Sequence, residues 1–224
     1  MNFVPVPGTQ ILLSIHETRK GDYAASARET EGVDGSWSSP NYQGVPVSTV
    51  EARAFCDWLS RKEGRNYRLP TDREWSVAVG IGDREDAEAM PEFLHAQITD
   101  HWPWGTSQPV PAGAGNYADS ALKAKLPLQA TIKDYTDGFA VTAPVMRFPP
   151  NSLGLFDLGG NMAEWCEDGF NKERRHRVLR GGSWFDQGPP YSSWRLRDFP
   201  GSCRFYFGFR CAVEVAAPGN GTSH

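Results

Sequence analysis

Glycine and proline interrupt this chain at such short intervals that few segments could form a long helix or strand. The sequence has 23 Gly and 17 Pro among 224 residues, and it also has 8 Trp. Glycine and proline favour turns, and tryptophan buries a large apolar area when regular packing surfaces are short. The sequence therefore predicts a loop-rich fold whose core is filled by bulky aromatic rings.

The overall charge excludes some classes of partner. Lys and Arg total 23 against 27 Asp and Glu, which gives a net charge of −4. Proteins that bind nucleic acid or anionic membranes need an excess of basic surface, so neither partner is expected. No segment is long and apolar enough to cross a bilayer, and the first residues do not resemble a signal peptide. The location is therefore left open between the cytoplasm and a domain cut from a longer precursor.

One helix is predicted after residue 48. Ser48 or Thr49 can cap its N-terminus, and Gly64 can end it in a left-handed conformation. Apolar residues between these points recur at helical spacing and form one stripe, which comprises Ala52, Phe55, Cys56 and Leu59.

A second helix is predicted to begin at the Thr71–Glu74 capping box. The Thr71 hydroxyl can accept from the Glu74 amide, while the Glu74 carboxylate reaches back to the Thr71 amide. Trp75 and Ala78 would face inward, and Gly80 would end the helix. The sequence predicts these two main helices only.

The rest of the chain is predicted to consist of short strands and ordered loops. The strand candidates are residues 10–15, 66–69, 154–158, 177–184 and 208–215. Residues 3–45 are rich in turns, and residues 83–148 are predicted to be irregular. No repeat or linker divides the sequence, so we expect a single domain over residues 1–215 and a disordered tail over 216–224.

Six short motifs, in this order, resemble those of the formylglycine-generating-enzyme (sulfatase-modifying factor) family. They are the segments 54–60 (AFCDWLS), 67–75 (YRLPTDREW), 103–105 (PWG), 154–165 (GLFDLGGNMAEW), 180–184 (RGGSW) and 208–211 (GFRC). These short segments are distributed along the chain from residue 54 to residue 211. The resemblance implies a C-type-lectin-like α+β fold with short twisted sheets and much irregular loop.

Calcium is the cofactor that the resemblance implies. Two carboxylates flank a Gly-Gly-Asn turn, where glycine lets backbone carbonyls converge, and calcium favours such oxygen ligands. By resemblance, a first site would use Asn116, the Tyr117 carbonyl, Asp137 and the Phe139 carbonyl. A second site, at the Gly-Gly-Asn turn, would use the side chains of Asp157 and Glu164 with the carbonyls of Gly160 and Met162. Alternatively, these polar side chains cap turns without any metal.

The catalytic residues of the family are missing. Family enzymes use two redox-active cysteines that bind copper, and the matching positions here hold Asp186 and Tyr191, which supply no thiolate. We therefore predict no catalytic residue and no copper. The five histidines are scattered, which disfavours the iron-dependent branch of the family. Cys56 and Cys211 match positions that are disulfide-bonded in some members, and a reduced buried pair is an equal alternative.

The segment between the last two motifs has the composition of a binding surface. Tyr and Trp give a large contact area at low entropic cost, and Ser adapts its hydrogen bonds. Phe205, Tyr206 and Phe207 cannot all point inward, because successive side chains alternate. The candidate contact residues are Phe185, Asp186, Tyr191, Ser192, Ser193, Trp194, Arg195, Arg197, Asp198, Phe199, Ser202, Cys203, Phe205, Tyr206 and Phe207. Internal packing of these aromatics is the alternative.

This frame also resembles the variable proteins of diversity-generating retroelements. Many of them have RGGSW before and GFR after the variable region, and adenine randomisation commonly removes Asn and Lys codons. Neither Asn nor Lys occurs from residue 173 to 219 here. We therefore predict a non-catalytic module that displays residues 185–207 to a protein ligand. The alternative is a family oxidoreductase that acts on a protein substrate.

Overall fold

The computed structural model describes residues 1–30, 47–188 and 190–215, without the side chains of residues 27–30. Part of the predicted turn-rich start and the whole predicted tail, residues 216–224, lie outside this described part. The described chain forms two four-stranded sheets with helices and long loops packed around them. This is the C-type-lectin-like α+β fold that the sequence predicts.

The first sheet joins the two ends of the described chain. Its order is β1 (Phe3–Pro5), β2 (Ile11–Ser14), β8 (Ala212–Glu214) and β3 (Tyr67–Arg68). All three pairings are antiparallel. The predicted strands over 10–15 and 66–69 are confirmed, and 208–215 contains β8.

The second sheet carries the segment that the sequence singled out for binding. Its order is β6 (Leu196–Asp198), β5 (Arg177–Arg180), β4 (Ala163–Gly169) and β7 (Phe207–Gly208). β4 pairs with β7 in parallel, and the other pairs are antiparallel. Residues 185–207 thus leave the sheet after β5, return as edge strand β6 and rejoin it at β7. The predicted strand over 154–158 is wrong, because these residues form turns and loop.

Both predicted helices are confirmed, together with their capping signals. α2 spans Thr49–Glu63, Ser48 and Glu51 form its capping box, and Gly64 ends it at a φ of 66°. α3 spans Asp72–Ala78 and begins with the predicted Thr71–Glu74 box. Their ends follow the sequence signals because capping bonds are local.

The sequence missed several other helices. They are α1 (Lys20–Thr30), α4 (Pro91–Leu94), α5 (Ser120–Lys125) and a 3₁₀ turn at Gly82–Arg84. α1 has little amphipathic periodicity, and α4 and α5 are too short to show one. α1 is held by a tertiary contact, because the Tyr23 ring stacks on Phe55 with centroids 5.8 Å apart. None of the helices in the described part has the length and apolar character needed to cross a membrane.

Tryptophans fill the core, as the composition predicts. Trp75 and Trp165 are each 0% exposed, and each indole N–H has a partner. Trp75 Nε1 donates to Glu164 Oε2 at 3.0 Å, and Trp165 Nε1 donates to the Val47 carbonyl at 2.8 Å. Burial of an indole ring is favourable when its N–H group forms a hydrogen bond, and both rings meet this condition.

Candidate functional site

A buried ion cluster fixes the middle of the 185–207 segment to the scaffold. The Arg195 guanidinium binds Glu85 with two bonds of 2.8 Å and approaches Asp72 Oδ2 at 2.9 Å. All three side chains are at most 5% exposed. A buried guanidinium is stable only when carboxylates neutralise it, and two do so here.

Arg180 completes this cluster from strand β5. Its guanidinium pairs with Asp72, lies 4.4 Å from the Trp75 ring centroid and donates to the Ser192 carbonyl at 2.7 Å. Although burial raises the pKa of Asp72, the charges of Arg180 and Arg195 hold it below its usual value. Asp72 is therefore ionised, and it connects helix α3 to both arginines.

Two serines attach the same segment to the loop before it. The Ser193 hydroxyl donates to the Ile98 carbonyl at 2.8 Å and accepts from the Ile98 amide at 3.0 Å. The Ser192 amide donates to the His101 carbonyl at 2.8 Å. Both serines are at most 1% exposed.

Four predicted contact residues are therefore internal, which corrects the sequence-based assignment. Ser192, Ser193 and Arg195 use their polar groups on the scaffold, and Phe207 packs edge-on against Trp165 with centroids 5.1 Å apart. A ligand at the surface cannot reach them. Composition failed to separate them from their neighbours because serine and arginine serve equally as contact residues and as buried hydrogen-bonding residues.

The side chains around strand β6 are displayed instead. Trp194, Arg197 and Phe199 are exposed, and each rests on a ring of another element. The Trp194 ring centroid lies 4.5 Å from that of His95. Arg197 lies 4.5 Å from the Phe170 ring centroid. We call Trp194, Arg197 and Phe199 the β6 face.

His176 supports Phe199 in the same way, with ring centroids 4.4 Å apart. His95, Phe170 and His176 lie outside the predicted segment, and nothing in their local sequence indicates this role. Their part in the site follows from the β5–β6 pairing, which places Arg177 opposite Asp198.

A second group of rings lies at the two ends of the segment. Phe185 stacks on Tyr206 with centroids 5.7 Å apart, and Phe205 meets both rings nearly at right angles. Phe205 is exposed, Tyr206 is half-buried and Phe207 is buried, so the prediction that the three rings cannot all point inward is confirmed. Trp184 lies beneath this group, and its Nε1 has no hydrogen-bond partner among the described residues. We call Phe185, Phe205 and Tyr206 the aromatic cluster.

The remaining polar candidates form a local turn. Asp198 accepts from Arg204 Nε and from the Ser202 hydroxyl, each at 2.7 Å. Cys203 is exposed beside them. Arg204 was missed by the sequence analysis, although it lies within the predicted segment.

The two positions that the resemblance matches to catalytic cysteines hold side chains with other roles. Asp186 Oδ2 accepts from the Ser183 amide at 2.6 Å and from its hydroxyl at 2.9 Å, and burial raises the pKa of Asp186. The Tyr191 ring lies 5.3 Å from that of Trp102. Asp186 closes a turn, and Tyr191 packs against the loop that contains Trp102.

No two accessible thiols lie together among the four cysteines, all of which the structure describes. Cys56 and Cys211 are reduced and buried with their Sγ atoms 3.8 Å apart, and Cys166 is also buried. The hydrogen bond to Cys211 and burial raise the pKa of Cys56 well above its usual value. Burial and the charge of Glu51 raise the pKa of the exposed Cys203. A thiol attacks and binds metals as the thiolate, and the raised pKa values of Cys56 and Cys203 disfavour that form.

The first predicted calcium site gathers its residues in one loop cluster. Asp137 accepts from the amides of Tyr117 and Phe139, each at 2.9 Å. The Asn116 amide group donates to Val141 and Asn161, whereas the buried Asn116 Oδ1 has no partner within the described chain. Burial raises the pKa of Asp137 to about 6. An unpaired oxygen beside a poorly solvated carboxylate fits a bound cation.

The second predicted calcium site is occupied by an arginine. Arg210 binds both oxygens of Glu164, with Nε–Oε2 at 2.7 Å and Nη2–Oε1 at 2.5 Å. Asp157 accepts from the Met146 amide at 2.8 Å, and burial raises the pKa of Asp157 to about 6. No group of three or more His, Cys, Asp or Glu in the described residues is arranged to hold a metal ion. Because Arg210 already neutralises Glu164, this site fits calcium less well than the first.

Glu17 lies beside Asp157 and Glu164 of this second site, and nothing in the sequence indicated its role. It accepts from Asn161 Nδ2 at 2.6 Å and from the Met162 amide at 3.0 Å. Burial raises the pKa of Glu17 well above its usual value, and the charges of Asp157 and Glu164 reinforce this effect. It fixes the turn that contains Asn161 and Met162.

A cavity of ≈ 620 Å³ lies elsewhere, beside α3. Trp104, His101 and the loops 111–114 and 148–153 line it. No residue of the 185–207 segment does, so the exposed side chains of that segment do not line this cavity.

Comparison with known proteins reveals clear relatives. A model of the "Sulfatase-modifying factor enzyme 1-like domain" matches residues 16–215. The bovine (Bos taurus) "Inactive C-alpha-formylglycine-generating enzyme 2" is 33% identical over 183 residues, which cover 78% of this chain and 51% of that protein. The mouse (Mus musculus) "Formylglycine-generating enzyme" is 30% identical over 210 residues, covering 85% of this chain and 49% of that protein. The chain thus spans about half the length of these curated relatives.

Solved structures share the fold at lower identity. PvdO from Pseudomonas aeruginosa superimposes with a TM-score of 0.63 at 22% identity, covering 91% of this chain and 80% of PvdO. Treponema denticola variable protein 1 superimposes with a TM-score of 0.58 at 20% identity, covering 96% and 91% of the two chains. At these identities the likeness establishes the fold alone.

Proposed function

This chain belongs to the sulfatase-modifying factor family, whose members include proteins named as active and as inactive enzymes, and we propose that it is a non-catalytic binding module. It presents the β6 face and the aromatic cluster to a protein ligand. The family membership supplies the scaffold, and the exposed side chains supply the function.

Residues 185–207 contain both buried anchoring side chains and exposed aromatic side chains, and this contrast is the observation that carries the proposal. Ser192, Ser193 and Arg195 anchor the segment through buried bonds to distant parts of the chain. Trp194 and Phe199, next to these anchors, are 40% and 58% exposed. Rigid aromatic side chains that remain exposed beside a fixed backbone are typical of binding hot spots, because little entropy is lost when they bind.

The absence of a catalytic pair also supports the proposal. Asp186 and Tyr191 stand at the family's cysteine positions, and none of the four thiols is both exposed and activated. One relative is itself named inactive. The alternative of an oxidoreductase is supported by the resemblance to the mouse enzyme.

We further propose that the module is a variable protein of a diversity-generating retroelement. The shared fold with a variable protein, the RGGSW and GFR frame and the lack of Asn and Lys between residues 173 and 219 support this. A reverse-transcriptase gene and a near-copy of the 180–210 coding stretch beside this gene are the expected finding. Their absence from the gene neighbourhood would reject the assignment.

Calcium at the first loop cluster is part of the same proposal. Asn116 and Asp137 would supply side-chain oxygens, and Tyr117 and Phe139 would supply carbonyls. The unpaired Asn116 Oδ1 supports this site. The ion would hold the loops together rather than take part in chemistry.

The binding proposal is tested by selection from a displayed library of random dodecapeptides against the folded protein. The selected peptides are then measured against a triple variant that carries Trp194→Ala, Phe199→Ala and Phe205→Ala. We expect affinity to fall by at least about 100-fold, because one hot-spot aromatic side chain contributes about 2 kcal/mol or more, which is about 30-fold, and three are removed. The matched control carries Leu126→Ala, Leu128→Ala and Val141→Ala, which removes three exposed apolar side chains elsewhere.

Binding that survives the triple variant, or that the control reduces equally, contradicts the proposal. The oxidoreductase alternative is tested on the same protein by copper titration and by an assay on a cysteine-containing sulfatase peptide. Tight copper binding with formylglycine formation would establish the alternative instead.

A further inference from the structure

A basic loop lies beside the β6 face. The loop over residues 170–176 connects β4 to β5, and the β5–β6 pairing brings it next to Asp198 and Phe199. Its tip exposes Lys172, Arg174 and Arg175. His176, at its end, is the residue whose ring contacts Phe199.

The cationic side chains of this region are not neutralised. Within the described chain, no ion pair involves Lys172, Arg174, Arg175 or Arg197. By contrast, the buried Arg180, Arg195 and Arg210 all have carboxylate partners. The four unpaired cations therefore direct their charge to solvent.

The acidic groups nearby leave an excess of positive charge. Asp198 is paired with Arg204, and Glu167 is paired with Arg53. Asp168 before the loop, Glu173 on it and Glu92 on α4 remain, and Arg177 adds a fifth cation, so five basic against three acidic side chains leave an excess of two positive charges. Burial lowers the pKa of Arg177 at the base of the loop, and the charges of Arg53 and Arg174 add to this effect. The chain as a whole is acidic, with a net charge of −4.

We propose that the β6 face and the basic loop together recognise an acidic segment of a partner protein. Trp194 and Phe199 would receive its apolar side chains, and Lys172, Arg174, Arg175 and Arg197 would pair with its carboxylates. This inference rests on the proposed binding function and adds the chemistry of the partner. A nucleic acid would also find the cations, but the net negative charge of the remaining surface disfavours a polyanion that must follow an extended track.

The arrangement matches the usual anatomy of a protein interface. Aromatic side chains lie at its centre, where water is excluded, and charges lie at its rim. Rim charges act mainly through long-range attraction, so they raise the association rate and make affinity depend on salt. Removal of the loop charges should therefore weaken binding without abolishing it.

The test uses the dodecapeptides selected in the preceding experiment, and their affinities are measured by fluorescence anisotropy. We expect the peptides that need the β6 face to be rich in Asp and Glu, and to lose at least about tenfold in affinity when these are changed to Asn and Gln. Lys172→Glu with Arg175→Glu should cause a similar loss near 0.1 M salt. The loss should shrink near 1 M, where the screening length falls from about 10 Å to about 3 Å.

The matched control is Lys133→Glu with Arg147→Glu, which makes the same change in charge at exposed positions outside this region. Circular dichroism of both variants reports whether they fold. Peptides that need the β6 face but carry no acidic excess, or that lose equal affinity with the control, overturn this inference and leave the binding function intact. If no selected peptide needs the β6 face, this inference fails, and the binding function fails with it only if no peptide needs the aromatic cluster either. Duplex DNA that outcompetes the acidic peptides also overturns it.

Discussion

Arg195 and Arg204 belong to one short segment, and the structure gives them opposite roles. Arg195 is buried between Asp72 and Glu85, whereas Arg204 forms an exposed pair with Asp198. An ion pair in the interior is costly to break because the remaining charge cannot be hydrated. A pair at the surface is replaced by water.

Arg195→Ala should therefore lower the free energy of unfolding by about 3–5 kcal/mol, because Glu85 would be left buried without its partner. Arg204→Ala should leave the urea midpoint almost unchanged. Urea denaturation followed by circular dichroism compares the two variants with the parent protein. Equal midpoints for both variants would show that the buried cluster adds nothing to stability.

At the scale of elements, the loop cluster around Asn116 and Asp137 is the part of the fold that a cation would strengthen. Asp119 already holds this region, since it accepts from the amides of Ala121 and Leu122 in α5 and from the Asp137 amide. The unpaired Asn116 Oδ1 lies in the same region. A ligand that binds the folded loop alone stabilises the protein by mass action.

Calcium should raise the melting temperature, with a gain of about 2.7 kcal/mol at a concentration 100 times its dissociation constant. Asp137→Ala should abolish the gain, whereas Asp157→Ala, at the site occupied by Arg210, should retain it. Differential scanning calorimetry with calcium, magnesium or a chelator measures both effects. A gain that persists in Asp137→Ala would place the ion elsewhere.

For the whole molecule, the exposed surface and the stability of the fold should be separable. The anchors of the 185–207 segment reach Asp72, Glu85 and Ile98, which lie far away in sequence. The displayed side chains rest on rings at the surface and take no part in these buried bonds. Exchange of the complete segment would remove Arg195 and is therefore expected to destabilise the protein.

A selective graft should behave differently. Replacement of Trp194, Arg197, Phe199, Cys203 and Phe205 by Ser or Tyr, with the anchors retained, should shift the melting temperature by less than about 4 °C, since surface substitutions usually change stability by within about 0.5 kcal/mol. The same graft with Arg195→Ser added is the comparison. A collapse of both grafts would mean that the exposed rings also support the core.

The sequence by itself determined the features that depend on local bonds or on a pattern of motifs. These are helices α2 and α3 with their capping boxes, the tryptophan-filled core and the family with its lectin-like fold. It also singled out the segment that we propose to bind a ligand, because aromatic and Arg residues cluster there. Capping, turns and hydrophobic spacing act over a few residues, so they can be read without the fold.

Only the tertiary structure decided which residues of that segment face solvent. Arg195 and Arg197 are chemically identical and nearly adjacent, yet one is buried by Asp72 and Glu85 while the other is exposed beside Phe170. Helix α1 and the roles of His95, His176 and Glu17 likewise depend on contacts between distant segments. A side chain is buried when a partner from elsewhere in the chain satisfies its polar groups, and residue type does not reveal that partner.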